Sequence, residues 1–282
     1  MTFLAMIVAL ILMQAWGSGN RIQRDHWFEA LQARLREWSL PGGARLALAV
    51  LAPALLAQLA LHALYPVLFG LPWIGLAAFL LLYSMGRRDF HDLLERYNQQ
   101  CRSGDFEGAY LTTLSELGWA SERDNPVSAE EVHRLVQHGF FYEGFQRWFA
   151  VLFYFVLLGP AGALAYRLLQ LCARDFEVDL ARRCLYLADW IPARLLAAAF
   201  SLTGDFVGSR DKLLEAMVDT SLGAPELLQG VGRAALDLDA EQAPEDVDFG
   251  ALAAEENSEM AGLLFRSAAC WVAVISLLVL LL

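Results

Sequence analysis

Charge is missing from one part of this chain in a way that decides its class. Between Leu46 and Gly86 there is no Asp, Glu, Lys or Arg. No soluble core needs an uncharged run of that length, and it is enough for two membrane spans of about 20 residues each. Lysine is almost absent too, Lys212 being the only one among 21 basic residues. Cysteine is scarce: Cys101, Cys172, Cys184 and Cys270 show neither a CxxC nor a paired spacing, which speaks against a zinc site or a disulfide framework. There is no GxxxxGK[ST] loop and no GxSxG turn. Phosphate-loop nucleotide binding and serine-nucleophile chemistry of that type therefore have no support.

What the chain does have is apolar sequence gathered into segments. Of 282 residues, 57% are hydrophobic and 19% charged, against about 45–50% and about 25% in ordinary soluble proteins. Four segments read as plain anchors: 3–16, 46–64, 72–86 and 263–282. The first has no positive region before it, and Ala15-Trp16-Gly17-Ser18 is a poor cleavage site, so it reads as an uncleaved helix. Residues 17–45 carry five arginines, with Phe28, Leu31, Leu35 and Trp38 at helical spacing, the pattern of an amphipathic helix along a membrane surface. The two spans that follow form a hairpin with an uncharged tip. Arg45 before it and Arg87-Arg88 after it place both flanks in the cytoplasm and the tip outside. The expected fold is all-α: a polytopic integral membrane protein with amphipathic surface helices, forming one membrane domain over 1–282.

Two polar regions interrupt this plan. Residues 87–147 read as a helical polar insert, in which Phe90, Leu93, Leu94, Tyr97 and Cys101 make one apolar stripe, Ser103-Gly104-Asp105 breaks the helix, and a second helix follows over about 105–117. Ser128-Ala129-Glu130-Glu131 is a capping box that starts another helix, running into the apolar stretch 148–170. Residues 204–262 read as an acidic loop. From Asp205 to Glu259 there are 14 acids and three bases, so that stretch accounts for the whole net charge of −11 and excludes nucleic acid as its partner. The loop is cytoplasmic if 148–170 and 186–203 both cross the membrane or neither does, and outside if only the first crosses. Arg266, flanking the last span, favours the cytoplasm.

The two apolar stretches between the anchors carry polar groups. Gly159-Pro160-Ala161-Gly162 lies near the middle of 148–170, where a proline kinks the helix and glycines permit close packing or a re-entrant path. Glu143, Arg147, Tyr166 and Arg167 flank or enter this stretch, and Asp189, Trp190 and Arg194 interrupt 186–203. Charges in such segments usually face a cavity or one another and are site candidates. The plainer alternative is that Arg147 and Arg167 snorkel to headgroups and that 186–203 is an interfacial helix with Asp189 and Arg194 in water. His133 and His138, five residues apart, do not stack on one helix face and read as solvated helix polars, so no metal site is expected.

At these same positions the chain resembles a known family. Gly159-Pro160-Ala161-Gly162-Ala163-Leu164-Ala165-Tyr166-Arg167, followed by Asp189-Trp190-Ile191-Pro192-Ala193-Arg194-Leu195, is similar to the paired motifs GxPGAxAYR and (N/D)WIPARL of the CobD/CbiB membrane proteins. Those enzymes join an aminopropanol phosphate to adenosylcobyric acid. The full-length pattern, with Asp25-His26 after the first helix, an uncharged hairpin, a polar insert and one last span, more closely resembles the related AmpE family. AmpE proteins are inner-membrane proteins associated with AmpD, β-lactamase induction and peptidoglycan recycling. One departure separates the chain from the synthases, which carry an acidic stretch resembling ENxxDGxxAPL. Tyr142 and Gln146 stand here where acids would be expected, leaving Glu143 nearby.

The resemblance implies a multi-pass regulatory or sensor protein of a bacterial inner membrane, without a cofactor, binding an envelope-derived or lipid-like anionic ligand. Arg147, Arg167 and Arg194 would meet the anion, with Asp189 orienting one of them. The lipid bilayer is its first partner, and the small residues of 159–165 would also permit a homodimer. The alternative it implies is a CbiB-like ligase or transferase in which Glu143 and Asp189 serve Mg²⁺ or proton transfer.

Overall fold

The computed structural model describes residues 2–16, 25–85, 90–117, 128–238 and 248–281. Among them every regular element is helical: α1 (Thr2–Trp16), α2 (His26–Glu37), α3 (Gly42–Leu64), a 3-10 turn (Leu68–Gly70), α4 (Leu71–Ser84), α5 (Phe90–Arg102), α6 (Phe106–Leu117), α7 (Ala129–Gly144), a π-helical turn (Phe145–Phe149), α8 (Ala150–Leu158), α9 (Pro160–Asp175), α10 (Val178–Thr203), α11 (Phe206–Val218), α12 (Ala224–Ala235) and α13 (Phe249–Leu281). Three of these helices, α3, α10 and α13, are long and apolar enough to cross a membrane, and α1 and α4 are shorter apolar helices. The Arg87-Arg88 stop and Arg21 and Arg24 lie outside the described residues.

The chain, read above as one membrane domain, divides into two compact units: 1–88 with 147–189, and 89–146 with 190–282. In the first, α1 packs on α4, while α9 packs on α3, α4 and α8. The small residues Ala5 and Ala9 of α1 and Ala77 and Ala78 of α4 are buried. Helix α3 inverts the soluble pattern: it buries Leu46, Ala49, Ala54 and Leu61 while Leu51, Leu55, Leu56 and Leu59 are exposed. That is the surface a lipid environment stabilises. Helix α2 is shorter than the amphipathic stretch read from sequence; it buries Phe28, Gln32 and Leu35 and leaves Trp27 exposed, and Trp38, just past its end, is exposed as well.

The stretch 148–170 is not one kinked helix. Gly159 sits at φ 79°, ψ −172°, a region open essentially to glycine, and Pro160 then opens α9, where its missing N–H costs nothing. The chain folds back on itself there. Tyr154 and Tyr166, twelve residues apart, stack with ring centroids 5.0 Å apart, whereas a continuous helix would separate them by roughly 18 Å. A side chain at Gly162 would run into Leu158, with the Tyr154 carbonyl 2.9 Å away. The small residues of 159–165 therefore serve close packing within this chain. At nine residues, α8 is roughly 14 Å long, about half a bilayer core.

In the second unit α5 packs on α6 and α13, α7 on α6, α12 and α13, and α11 on α12. The stripe of α5 is buried as the spacing predicts, Phe90, Leu93, Leu94, Tyr97 and Cys101 all facing inward. Ser128 caps α7, its side chain accepting from the Glu131 N–H at 3.2 Å. The acidic region 204–262 is a correction to the sequence reading: its described residues are mostly helical rather than a loop. It holds α11, α12 and the first part of α13, a helix of 33 residues that runs from that region into the last apolar segment. Charge misled because acids such as Asp211, Glu215, Glu226, Glu255 and Glu259 lie on exposed faces of these helices, while Leu227, Leu228, Val231 and Ala254 on other faces are buried.

Candidate functional site

The motif residues fall in both units, and each group is built separately. In the first unit, Tyr166 and Arg167 lie on α9 and Asp189 on α10, and all three are buried. The Tyr166 hydroxyl donates to Asp189 Oδ1 at 2.6 Å, which ties the first motif to the start of the second. The stacked Tyr154 donates to the Ala188 carbonyl at 2.8 Å. Arg167 turns elsewhere: its Nη1 donates to Gln170 Oε1 at 3.0 Å and its Nη2 lies 3.8 Å from Asp25 Oδ2. Asp25 also accepts from the Tyr83 hydroxyl at 2.9 Å, and Tyr83 in turn accepts from Trp27 Nε1 at 3.1 Å. A buried arginine is thus held by a carboxylate and an amide, and that carboxylate is held by a tyrosine, so the buried charge has an opposite charge beside it. Arg147, in the π-helical turn, is buried as well. π-Helical turns are rare and concentrate at functional sites.

In the second unit the other motif residues form a different cluster. The Arg194 guanidinium lies over the Trp190 ring, 4.0 Å from its centroid. It donates to the Trp190 carbonyl at 3.2 Å and to the Asp219 carbonyl at 2.6 Å, so it closes the C-terminal end of α11. The Asp219 carboxylate accepts from the Ser221 hydroxyl and N–H, and these bonds hold its pKa below the ordinary carboxylate value. Glu143 is buried at the end of α7. Gln146 Nε2 donates to the Tyr142 hydroxyl at 2.7 Å. The two positions where carboxylates were expected by resemblance to the synthases therefore satisfy one another as a neutral pair one helical turn apart. Among the described residues no three His, Cys, Asp or Glu side chains are grouped to hold a metal ion.

A second polar network in this unit went unread in the sequence. His133 was read as solvated, but it is buried, because Tyr97 and Phe249 pack on its ring. Its Nε2 is 3.1 Å from Glu256 and its Nδ1 is 3.4 Å from the Tyr97 hydroxyl. Each ring nitrogen thus faces a polar partner. Gln137 also donates to Glu256 at 3.1 Å, and Arg233 donates to Gln137 at 2.5 Å. Residues 133 and 256 are too far apart in sequence for spacing to pair them, although the helical stripe of α5 does point Tyr97 inward. In the first unit, Asp25 was noted only as part of a resemblance, and Tyr83 is hidden in an apolar run.

Buried charges within helices that turn leucines outward, next to a helical hairpin broken at a Gly-Pro step, define a helical membrane protein with polar sites in its interior. The family described as "Regulatory signalling modulator protein AmpE" matches residues 1–242. The match covers most of the chain, including both motifs, and the chain belongs to that family. No curated protein and no solved structure matches it.

Proposed function

We propose that this chain is a multi-pass regulator of the bacterial inner membrane that couples the state of the cell envelope to β-lactamase induction and peptidoglycan recycling. Its signal is an anionic, envelope-derived or lipid-like ligand. The observation that carries the reading is the hydrogen bond between Tyr166 and Asp189, which joins the two motifs inside a helical unit whose outer surface is apolar. A carboxylate or phosphate entering there would compete for Arg167, now held internally by Asp25 and Gln170. In the second unit, an anion that meets Arg194 would compete with the Asp219 carbonyl and release the end of α11. Exchange of an internal partner for a ligand is a two-state event of the kind regulation needs. The neutral Tyr142–Gln146 pair weighs against the ligase alternative, whose chemistry calls for carboxylates there.

The test is an in-frame deletion complemented with wild-type, Asp189→Asn or Arg194→Ala chain, scored for β-lactam-induced β-lactamase activity with membrane-fraction abundance as control. We expect loss of normal induction in the deletion and failure of both variants to restore it at wild-type abundance. Normal induction in the deletion would refute the regulatory role. Full complementation by both variants would refute the assignment of these residues.

A further inference from the structure

The second unit contains a pocket of about 490 Å³ beside the His133 network, between α7, α12 and the first part of α13. That volume lies in the range of small-molecule sites, roughly 300–1,000 Å³. Its lining carries both signs of charge. Arg134 of α7 and Arg233 of α12 supply positive groups, and Glu255, Glu256 and Glu259 of α13, together with Glu130 of α7 and Asp237, supply negative ones; Arg233 and Glu256 lie 3.7 Å apart. Phe249 and Leu252 add apolar surface.

Two of the charged groups are fixed in place before any ligand arrives. Glu256 is held by buried His133 at 3.1 Å and by Gln137 at 3.1 Å. Arg233 is held by Gln137 at 2.5 Å and by the Leu238 carbonyl at 2.9 Å. Such fixing lowers the ordering cost of binding. The pocket also lies on the part of α13 that precedes its apolar half, where charged side chains outnumber apolar ones in its lining.

From this geometry we infer that the pocket binds a small zwitterion, with an ammonium and a carboxylate a few bonds apart and an apolar group between or beside them: a free amino acid or a short peptide. A simple anion would face five carboxylates, and a simple cation would face Arg134 and Arg233. A dipolar ligand, its ammonium among the carboxylates and its carboxylate toward Arg134, satisfies both signs at once. The inference stands apart from the regulatory role, since the pocket can bind whether or not induction depends on it.

The test uses the full chain purified in detergent, with L-alanyl-L-phenylalanine and L-phenylalanine as probes, read by calorimetric titration and by the rise in Tm that binding causes. Controls are N-acetyl-L-alanyl-L-phenylalanine, which lacks the ammonium, and L-alanyl-L-phenylalanine amide, which lacks the carboxylate. At least one free probe should bind, and each blocked dipeptide should bind about tenfold or more weakly than the free one. Arg134→Gln and Glu259→Gln alter exposed side chains, leave the fold intact, and should each weaken binding several-fold. No binding of either free probe overturns the inference. So does equal binding of the blocked forms, or unchanged affinity in both variants.

Discussion

Two buried polar networks, one in each unit, use the same kinds of side chain in different surroundings. In the first unit Asp25, Tyr83 and Arg167 are all buried, the side chains of Asp25 and Arg167 each only 6% exposed. A group that loses its partner there has little access to water. In the second unit His133, Gln137, Arg233 and Glu256 border a pocket with a charged rim, where water can replace a lost partner. Equivalent deletions should therefore cost more in the first unit than in the second.

The sharpest way to break that comparison is Asp25→Ala. It removes the carboxylate 3.8 Å from buried Arg167 and the acceptor of the Tyr83 hydroxyl. Removing one partner of a buried ion pair costs about 3–5 kcal/mol. The measurement is thermal or denaturant unfolding of the chain in detergent or nanodiscs. Asp25→Leu combined with Arg167→Met should recover much of the loss, because the desolvation cost of both charges disappears together. If the double variant is no better than the single, Asp25 and Arg167 are not energetically coupled.

Next in size is the turn between α8 and α9. Gly159→Ala should destabilise by about 1–3 kcal/mol through backbone conformation alone, since a methyl group there would meet nothing within 4 Å. Gly162→Ala should do damage for the opposite reason: its φ is ordinary, but its methyl group meets Leu158 and the Tyr154 carbonyl. Removing the obstructing Cβ with Leu158→Gly should partly rescue Gly162→Ala and leave the Gly159→Ala penalty in place. Rescue of both would mean that the Gly159 penalty is steric.

This turn also marks how far the sequence could be read. The apolar runs, the stripe of α5 and the Ser128 cap are local patterns, and periodicity or spacing reveals each of them. Gly159-Pro160 is local as well, but its consequence is not: a kink and a reversal carry the same sequence signature, and only packing of Tyr154 against Tyr166 distinguishes them. The helices of 204–262 were hidden for another reason. High charge lowers mean hydropathy even where Leu227, Leu228 and Val231 repeat at helical spacing. Of the candidate residues, Tyr166 meets Asp189 and Arg194 lies over Trp190, pairings that the sequence reading, which set Asp189 beside an arginine, did not name. Asp25 with Arg167 and His133 with Glu256 join residues more than 100 positions apart, for which one chain offers no local signal.

In the second unit, His133→Ala takes a partner from Glu256 and from the Tyr97 hydroxyl. The expected cost is about 1–2 kcal/mol, toward the low end for an orphaned polar group, because water reaches Glu256 through the pocket. Unfolding measured under the conditions used for Asp25→Ala makes the comparison direct. An equal or larger loss for His133→Ala would reverse the ranking of the two networks.

The smallest effect concerns alkaline pH and tests how dry the interior of the second unit is away from the pocket. Burial pushes the Cys101 thiol up to about 11, and it raises the Tyr97 hydroxyl as well. Both groups hold their protons more tightly in the native chain than in the unfolded one. Their contribution to stability is complete below the ordinary thiol pKa of about 9. It should then decline as pH rises toward about 11, with no change across pH 6–8. A second readout is alkylation at pH about 8 followed by mass spectrometry. Cys101 is fully buried and should label only on unfolding, more slowly than the partly exposed Cys184 and Cys270. Rapid labelling of Cys101 in the native chain would show that water reaches the interface of α5 and α13, and the second unit would then be wet well beyond its pocket.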